Sequence, residues 1–143
     1  MRVFELMTKS PAVCEPSTPV AEVARAMLTC DCGAIPVIEM DRIVGIITDR
    51  DIVMRSVAAE KCPLSLTAGD LMSRPVATVS SDSSLESALK TLEQNRVRRA
   101  PVVDGAGHLV GILAQADIAR MTPLPQIGEM VHEISQGLDI GHS

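Results

Sequence analysis

The chain of 143 residues repeats itself once. "FELMTKSP" near the start sits beside "GDLMSRP" further on, with Met7 and Met72 at an offset of 65. Pro11 and Pro75 follow at 64, so one residue is lost between them. Val20, Val23, Ala24 and Met27 match Leu85, Ala88, Leu89 and Leu92 at 65, and Pro36 matches Pro101 at the same offset. Gly45 pairs with Gly111, and Asp51 with Asp117, at 66. The landmarks keep their order, and the slips fall where loops are expected. This is a duplicated unit. Its first copy spans residues 3–60 and its second 67–121, joined by the linker "KCPLSL" at 61–66. Residues 122–143 form a tail whose "PQIGEMVHEISQGL" has the apolar spacing of a short helix.

Each copy spells the same order of elements. Val20, Val23, Ala24, Met27 and Leu28 make the stripe of an amphipathic helix, with Thr18 and Pro19 as its cap and first position. Ser83 and Glu86 spell a capping box ahead of Leu85, Ala88, Leu89 and Leu92. Two short strands follow each helix: "IPVI" and "IVGII" around the turn "EMDR", and "APVV" and "LVGIL" around "DGAGH". "AVC" and "VATV" add a strand before each helix, and "DIVMRSVAAE" and "DIARM" add a helix at each end. The expected fold is α/β (α+β), two β-α-β-β-α repeats. A single repeat is too small to bury much surface, so the two should pack sheet on sheet about a pseudo-two-fold axis, with two related clefts.

Composition limits what those clefts hold. Aromatic residues make up 1% of the chain, so the core is aliphatic, and a planar ligand must be gripped by aliphatic side chains, Arg planes and backbone. The net charge of −5 argues against nucleic acid, which needs a basic face. "RVRR" at Arg96–Arg99 is the local exception. No apolar run is long enough for a membrane span and no signal peptide is evident, so a cytoplasmic protein is expected. Its four cysteines should then be reduced, including "CDC" at Cys30–Cys32, and no metal site is expected. There is no P-loop, no GxGxxG and no nucleophile with a base motif, so an enzyme is not expected.

The order "LMT…P…V", a helix, then "AIPVI…IVGIITDRDI" resembles a CBS domain, the cystathionine-β-synthase type of repeat. "LMSRPVATV…RRAPVVD…LVGILAQADI" resembles a second, and together they cover residues 3 to about 121. The resemblance implies a regulatory module that often forms homodimers and signals to an effector protein. It implies no obligatory cofactor, and an adenosine-containing ligand: AMP, ADP, ATP, S-adenosylmethionine or an NAD-type dinucleotide. It assigns the ribose hydroxyls to Asp51, the phosphate to Thr48 and the nucleoside face to Ile46. Ala77, Val97, Arg98 and Arg99 would line the same cleft, with the two arginines on phosphate. Val13, Gly33, Ala34, Ile112 and Asp117 would form the other cleft. Ala114 stands where the hydroxyl should be, so that cleft is the poorer phosphate site.

The residues also admit a plainer reading. Thr48 to Asp51 spells a capping box that needs no ligand. Asp117 lacks the matching hydroxyl, which points it toward a ligand rather than a cap. "RVRR" reads equally as a solvated patch. The alternative function is therefore a structural or protein-interaction module that binds no nucleotide.

Overall fold

A computed structural model describes residues 1–121, a mixed α+β chain. The expected tail helix lies outside the described residues. The elements run α1 (Val3–Leu6), β1 (Thr8–Lys9), α2 (Val20–Cys30), β2 (Ala34–Glu39), β3 (Arg42–Thr48) and α3 (Asp49–Ile52), which continues as a π-helical turn over Val53–Val57. A 3-10 turn at Pro63–Ser65 lies in the linker. Then come α4 (Ala68–Leu71), β4 (Val79–Ser80), α5 (Leu85–Asn95), β5 (Arg99–Val103), β6 (Leu109–Ala114) and α6 (Gln115–Ala119). No helix among the described residues is long and apolar enough to cross a membrane.

The helical periodicity holds at the core. Val20, Val23 and Met27 on α2, and Ala88, Leu89 and Leu92 on α5, are buried. Ala24 and Leu28 leave the stripe: both are exposed, Leu28 at 83%. The caps sit elsewhere than expected. Pro19 is the N-cap of α2, and the Thr18 hydroxyl accepts the Glu15 amide at 3.0 Å instead. Ser84, not Ser83, caps α5 by accepting the Ser87 amide at 3.1 Å. Both shifts have one cause: the chain enters each helix one residue later than the sequence signal. The turn between β2 and β3 uses Met40 and Asp41 at φ 53° and 62°, the doubly positive geometry that matches strand twist. Cys30 and Cys32, expected as free thiols, are joined by a disulfide.

The compact units do not follow the repeats. Among the described residues, one unit is residues 10–76, and the other is residues 1–9 with 77–121. Each repeat gives its opening segment to the other repeat's unit. In the second unit the sheet order is β1-β6-β5-β4, with Thr8 opposite Ile112 and Lys9 opposite Gly111. In the first, β2 and β3 are antiparallel; Cys14 bridges Val37 on one side and Ser73 bridges Ile46 on the other. The two units thus have the same four-position layout. The cores follow the same exchange. Leu71 and Met72 pack with Ile35, Val37 and Ile47, while Val3 packs with Ala100, Val102 and Leu113.

The exchange explains two glycines. A Cβ on Gly45 would sit 2.5 Å from Met72 Sδ, and one on Gly111 would sit 2.6 Å from Met7 Sδ and 2.8 Å from the Thr8 carbonyl oxygen. The methionines of the exchanged segments lie flat on these strand positions. Gly111→Ala is expected to cost about 2–3 kcal/mol, because the Thr8 backbone cannot move aside. Gly45→Ala should cost about 1 kcal/mol less, since the nearest atoms belong to a flexible Met side chain. Urea unfolding of both variants checks this; equal losses would show that Met7 and Met72 set the cost alone.

Candidate functional site

The site begins where a strand becomes a helix. β3 delivers Thr48 in an extended conformation, and α3 starts at the next residue. Thr48 Oγ1 accepts the Asp51 amide at 3.0 Å, and Asp51 Oδ2 accepts the Thr48 amide at 3.0 Å, so both halves of the capping box form. The plainer reading of these residues is therefore realised. Asp51 also does more than cap. Its Oδ1 accepts the Ser73 hydroxyl at 3.2 Å and lies 3.9 Å from Arg55 Nε. Arg55 in turn donates to the Met72 carbonyl at 2.9 Å and the Leu71 carbonyl at 3.3 Å. One half-buried carboxylate thus ties together the strand end, the helix and the exchanged segment.

The second unit builds the same corner with fewer parts. Asp117 Oδ2 accepts the Ala114 amide at 3.1 Å, and its Oδ1 pairs with Arg120 Nη2 at 2.6 Å. Ala114 offers no hydroxyl, so only half the box exists. Asp117 nevertheless caps, which removes the argument that a missing hydroxyl turns it toward a ligand. Ala114→Thr should supply the absent acceptor, because Ala114 is extended at φ −112° and ψ 150°, close to Thr48 at −113° and 164°. The expected gain is about 0.5–1 kcal/mol, read as a raised melting temperature; a drop would mean the hydroxyl finds no Asp117 amide.

The remaining expected residues divide between the units, and Ala77, Val97, Arg98 and Arg99 belong to a different unit from Thr48 and Asp51. In the first unit, Ala34 is in register opposite Thr48, Ile46 faces Pro36 across the ladder, and the Gly33 carbonyl accepts the Asp49 amide at 3.0 Å. In the second, Arg99 is opposite Ala114, Ile112 is opposite Pro101, and the Arg98 carbonyl accepts the Gln115 amide at 2.7 Å. Val97, Arg98, Arg99 and Ala77 are all half-buried there. Val13 is 49% exposed and lines a cavity of about 780 Å³ within the first unit, together with Glu15, Glu39 and Asp41. Three carboxylates there disfavour a phosphate, and that cavity gathers none of the other expected site residues.

Sequence reasoning missed Ser73, Arg55 and Arg120. Arg55 and Arg120 carried a signal, standing four and three residues after their aspartates on a helix. Ser73 carried none, because its contact with Asp51 spans 22 residues.

The arrangement has a definite capacity. A carboxylate has about four lone-pair sites. On Asp51, Thr48 and Ser73 each fill one, and Arg55 stands beyond hydrogen-bond length. One acceptor position per oxygen is left, which suits the two hydroxyls of a vicinal diol. No group of three or more His, Cys, Asp or Glu able to hold a metal occurs among the described residues.

Comparison with known proteins agrees with this architecture. Residues 3–58 and 68–122 each match the CBS domain family. An uncharacterized protein of Methanopyrus kandleri is 34% identical over 85% of the chain, which spans 62% of that protein's length. Hypoxic response protein 1 of Mycobacterium tuberculosis is 39% identical over 78% of both chains. Among solved structures, a CBS domain protein of unknown function from Thermoplasma acidophilum superposes with a TM-score of 0.83 at 25% identity, covering 93% of this chain and 75% of the other. CBSX2, solved in complex with AMP, gives a TM-score of 0.70 at 28% identity, covering 89% of this chain and 98% of the other.

Proposed function

The chain belongs to the CBS-domain family with two copies of the domain, and on that premise we propose that it is a regulatory module that binds an adenosine-containing nucleotide. The observation that carries this is the Asp51 carboxylate, held at the head of α3 beside Thr48 with one acceptor position free on each oxygen. Asp51 receives the ribose diol, the Thr48 hydroxyl faces phosphate, and Ile46 lies on the nucleoside. Arg98 and Arg99 are proposed as phosphate contacts in their own right, as planar forks of donors. Asp117 repeats the ribose contact without the hydroxyl, so the second site favours ligands with less phosphate. AMP bound to CBSX2 supports the ligand class.

The module acts by differential affinity. Ligand favours one arrangement of the protein or of its homodimer, and an effector protein reads the difference. On this reading the chain catalyses no reaction and works in the cytoplasm.

One observation favours a second reading. Asp51 and Asp117 are both employed in capping and in contacts with Arg55 and Arg120, so the corner is complete without a ligand. On that reading the protein is an interaction module.

Isothermal calorimetry against AMP, ADP, ATP, S-adenosylmethionine and NADH separates the two. Heat is the practical signal, because the chain has no Trp or Tyr. Saturable binding of at least one ligand supports the nucleotide module, and Arg98→Ala should then weaken ATP more than adenosine. Silence from folded, nucleotide-free protein favours the interaction module.

A further inference from the structure

We propose that Cys30 and Cys32 are a redox-active pair, closed to a disulfide by small-molecule disulfides and reopened by small-molecule thiols, independently of any nucleotide. The pair is placed by a turn. α2 ends at Cys30, Asp31 enters the left-handed region at φ 53° and ψ 46°, and the Cys32 amide donates back to the Met27 carbonyl at 3.1 Å. That reversal leaves the two cysteine Cα atoms 5.3 Å apart, within the range of about 4.4–6.8 Å that a disulfide spans.

The second repeat provides a control within the same molecule. After α5, Arg96 adopts φ 53° and ψ 44°, and the Val97 amide donates to the Leu92 carbonyl at 3.1 Å. Asn95 and Val97 stand where the cysteines do, and the turn has the same geometry. The helix end therefore makes this turn without a cross-link. In the first repeat the same turn therefore keeps the two Cα atoms within disulfide range whether the bond is open or closed, so opening it leaves the fold intact. Reversible closure follows from that preorganisation.

Access and selectivity point the same way. Cys30 is exposed and Cys32 half-buried, so an incoming disulfide meets Cys30 first. Cys14 is buried, and its thiol is pushed up to about 11 by burial and then by Glu15 and Glu22, which keeps it from competing as a thiolate. Cys62 is exposed and free, 30 residues from Cys32 in the chain. In closure, the Cys30 thiolate attacks one sulfur of oxidised glutathione and expels a glutathione thiolate. The Cys32 thiolate then attacks the Cys30 sulfur of the mixed disulfide and expels the second. The protein loses two protons and two electrons, and two glutathione molecules carry them away. Reduction by excess glutathione runs the same steps backward.

The sequence makes the test clean. Trypsin cuts after Arg25 and Arg42, and the peptide between them contains no cysteine other than these two. The full chain is reduced, desalted, exposed to oxidised glutathione, quenched with N-ethylmaleimide and digested for mass spectrometry. The expected wild-type peptide is two hydrogens lighter than the dithiol, carries neither glutathione nor maleimide, and returns to the dithiol with excess glutathione. In Cys32→Ser the same peptide should retain one glutathione on Cys30. A wild-type peptide that carries two maleimides, or that accumulates glutathione as the Cys32→Ser peptide does, overturns the proposal. Matching circular dichroism melts of the reduced wild type and Cys32→Ser confirm that both are folded.

Discussion

A chain lacking residues 1–9 is expected to lose about 4 kcal/mol or more from the unit that contains β5 and β6, although those strands belong to the other repeat. Val3 is fully buried against Ala100, Val102 and Leu113, and Leu6 and Met7 pack on the same cluster. Burying one such side chain is worth about 1.5–3 kcal/mol, and two partly buried neighbours add to it. The backbone contributes as well. The Val3 amide donates to Ser83 O at 2.9 Å, Phe4 to Ser81 O at 3.1 Å, and β1 covers the edge of β6. Against a usual total of about 5–15 kcal/mol, the loss is severe. It should appear as a melting point lower by roughly 10 °C or as an early, separate transition. Val3→Ala, which keeps the ladder and removes part of the packing, should cost about 1–2 kcal/mol. If the truncated chain melts like the full one, the segment exchange is not what holds this unit together.

Asp51→Ala is expected to weaken AMP binding by about 10- to 100-fold, the loss of hydrogen bonds to a charged acceptor worth about 1.5–3 kcal/mol. The same change removes half of the capping box and the tether to Ser73, for about 1 kcal/mol of stability. A loss of binding could therefore reflect a disturbed corner. Ser73→Ala resolves the ambiguity. It removes the donor to Oδ1 and with it part of the same structural network, but it leaves the carboxylate intact with one more acceptor position free. Ser73→Ala should lower stability by a few tenths of a kcal/mol while AMP affinity holds or rises. If Asp51→Ala and wild type bind AMP equally, the carboxylate is a cap and a tether alone. If Ser73→Ala loses binding as fully as Asp51→Ala, the geometry of the corner matters more than its charge.

Much of the site was legible from residue types. Thr48 and Asp51 spelled their own capping box, and a strand-to-helix junction could be read from "GIITDRD". Those contacts lie within three residues, where spacing alone fixes geometry. The argument from the hydroxyl missing beside Asp117 failed for a physical reason. A reciprocal box needs a hydroxyl on one side only, so its carboxylate still caps the Ala114 amide. The cysteine pair was read from its compartment rather than from its turn. The left-handed residue between the two cysteines, which brings the sulfurs together, is an Asp, and an Asp after a helix signals such a turn only weakly.

What the sequence settled by itself was the duplication, the helix-strand-strand-helix run of each repeat (α2-β2-β3-α3 and α5-β5-β6-α6), and most of the inward helix faces. These follow from periodicity, and periodicity is local. The strand expected at "AVC" is only a bridge at Cys14, and α1 and α4 gave no signal. Tertiary structure alone decided where the chain crosses from one repeat to the other. Nothing within "FELMT" or "GDLMS" says which hairpin it will lie against, because closing a longer loop costs little more than closing a short one. The choice was made by fit: Met7 over Gly111, Met72 over Gly45, and Ser73 within reach of Asp51.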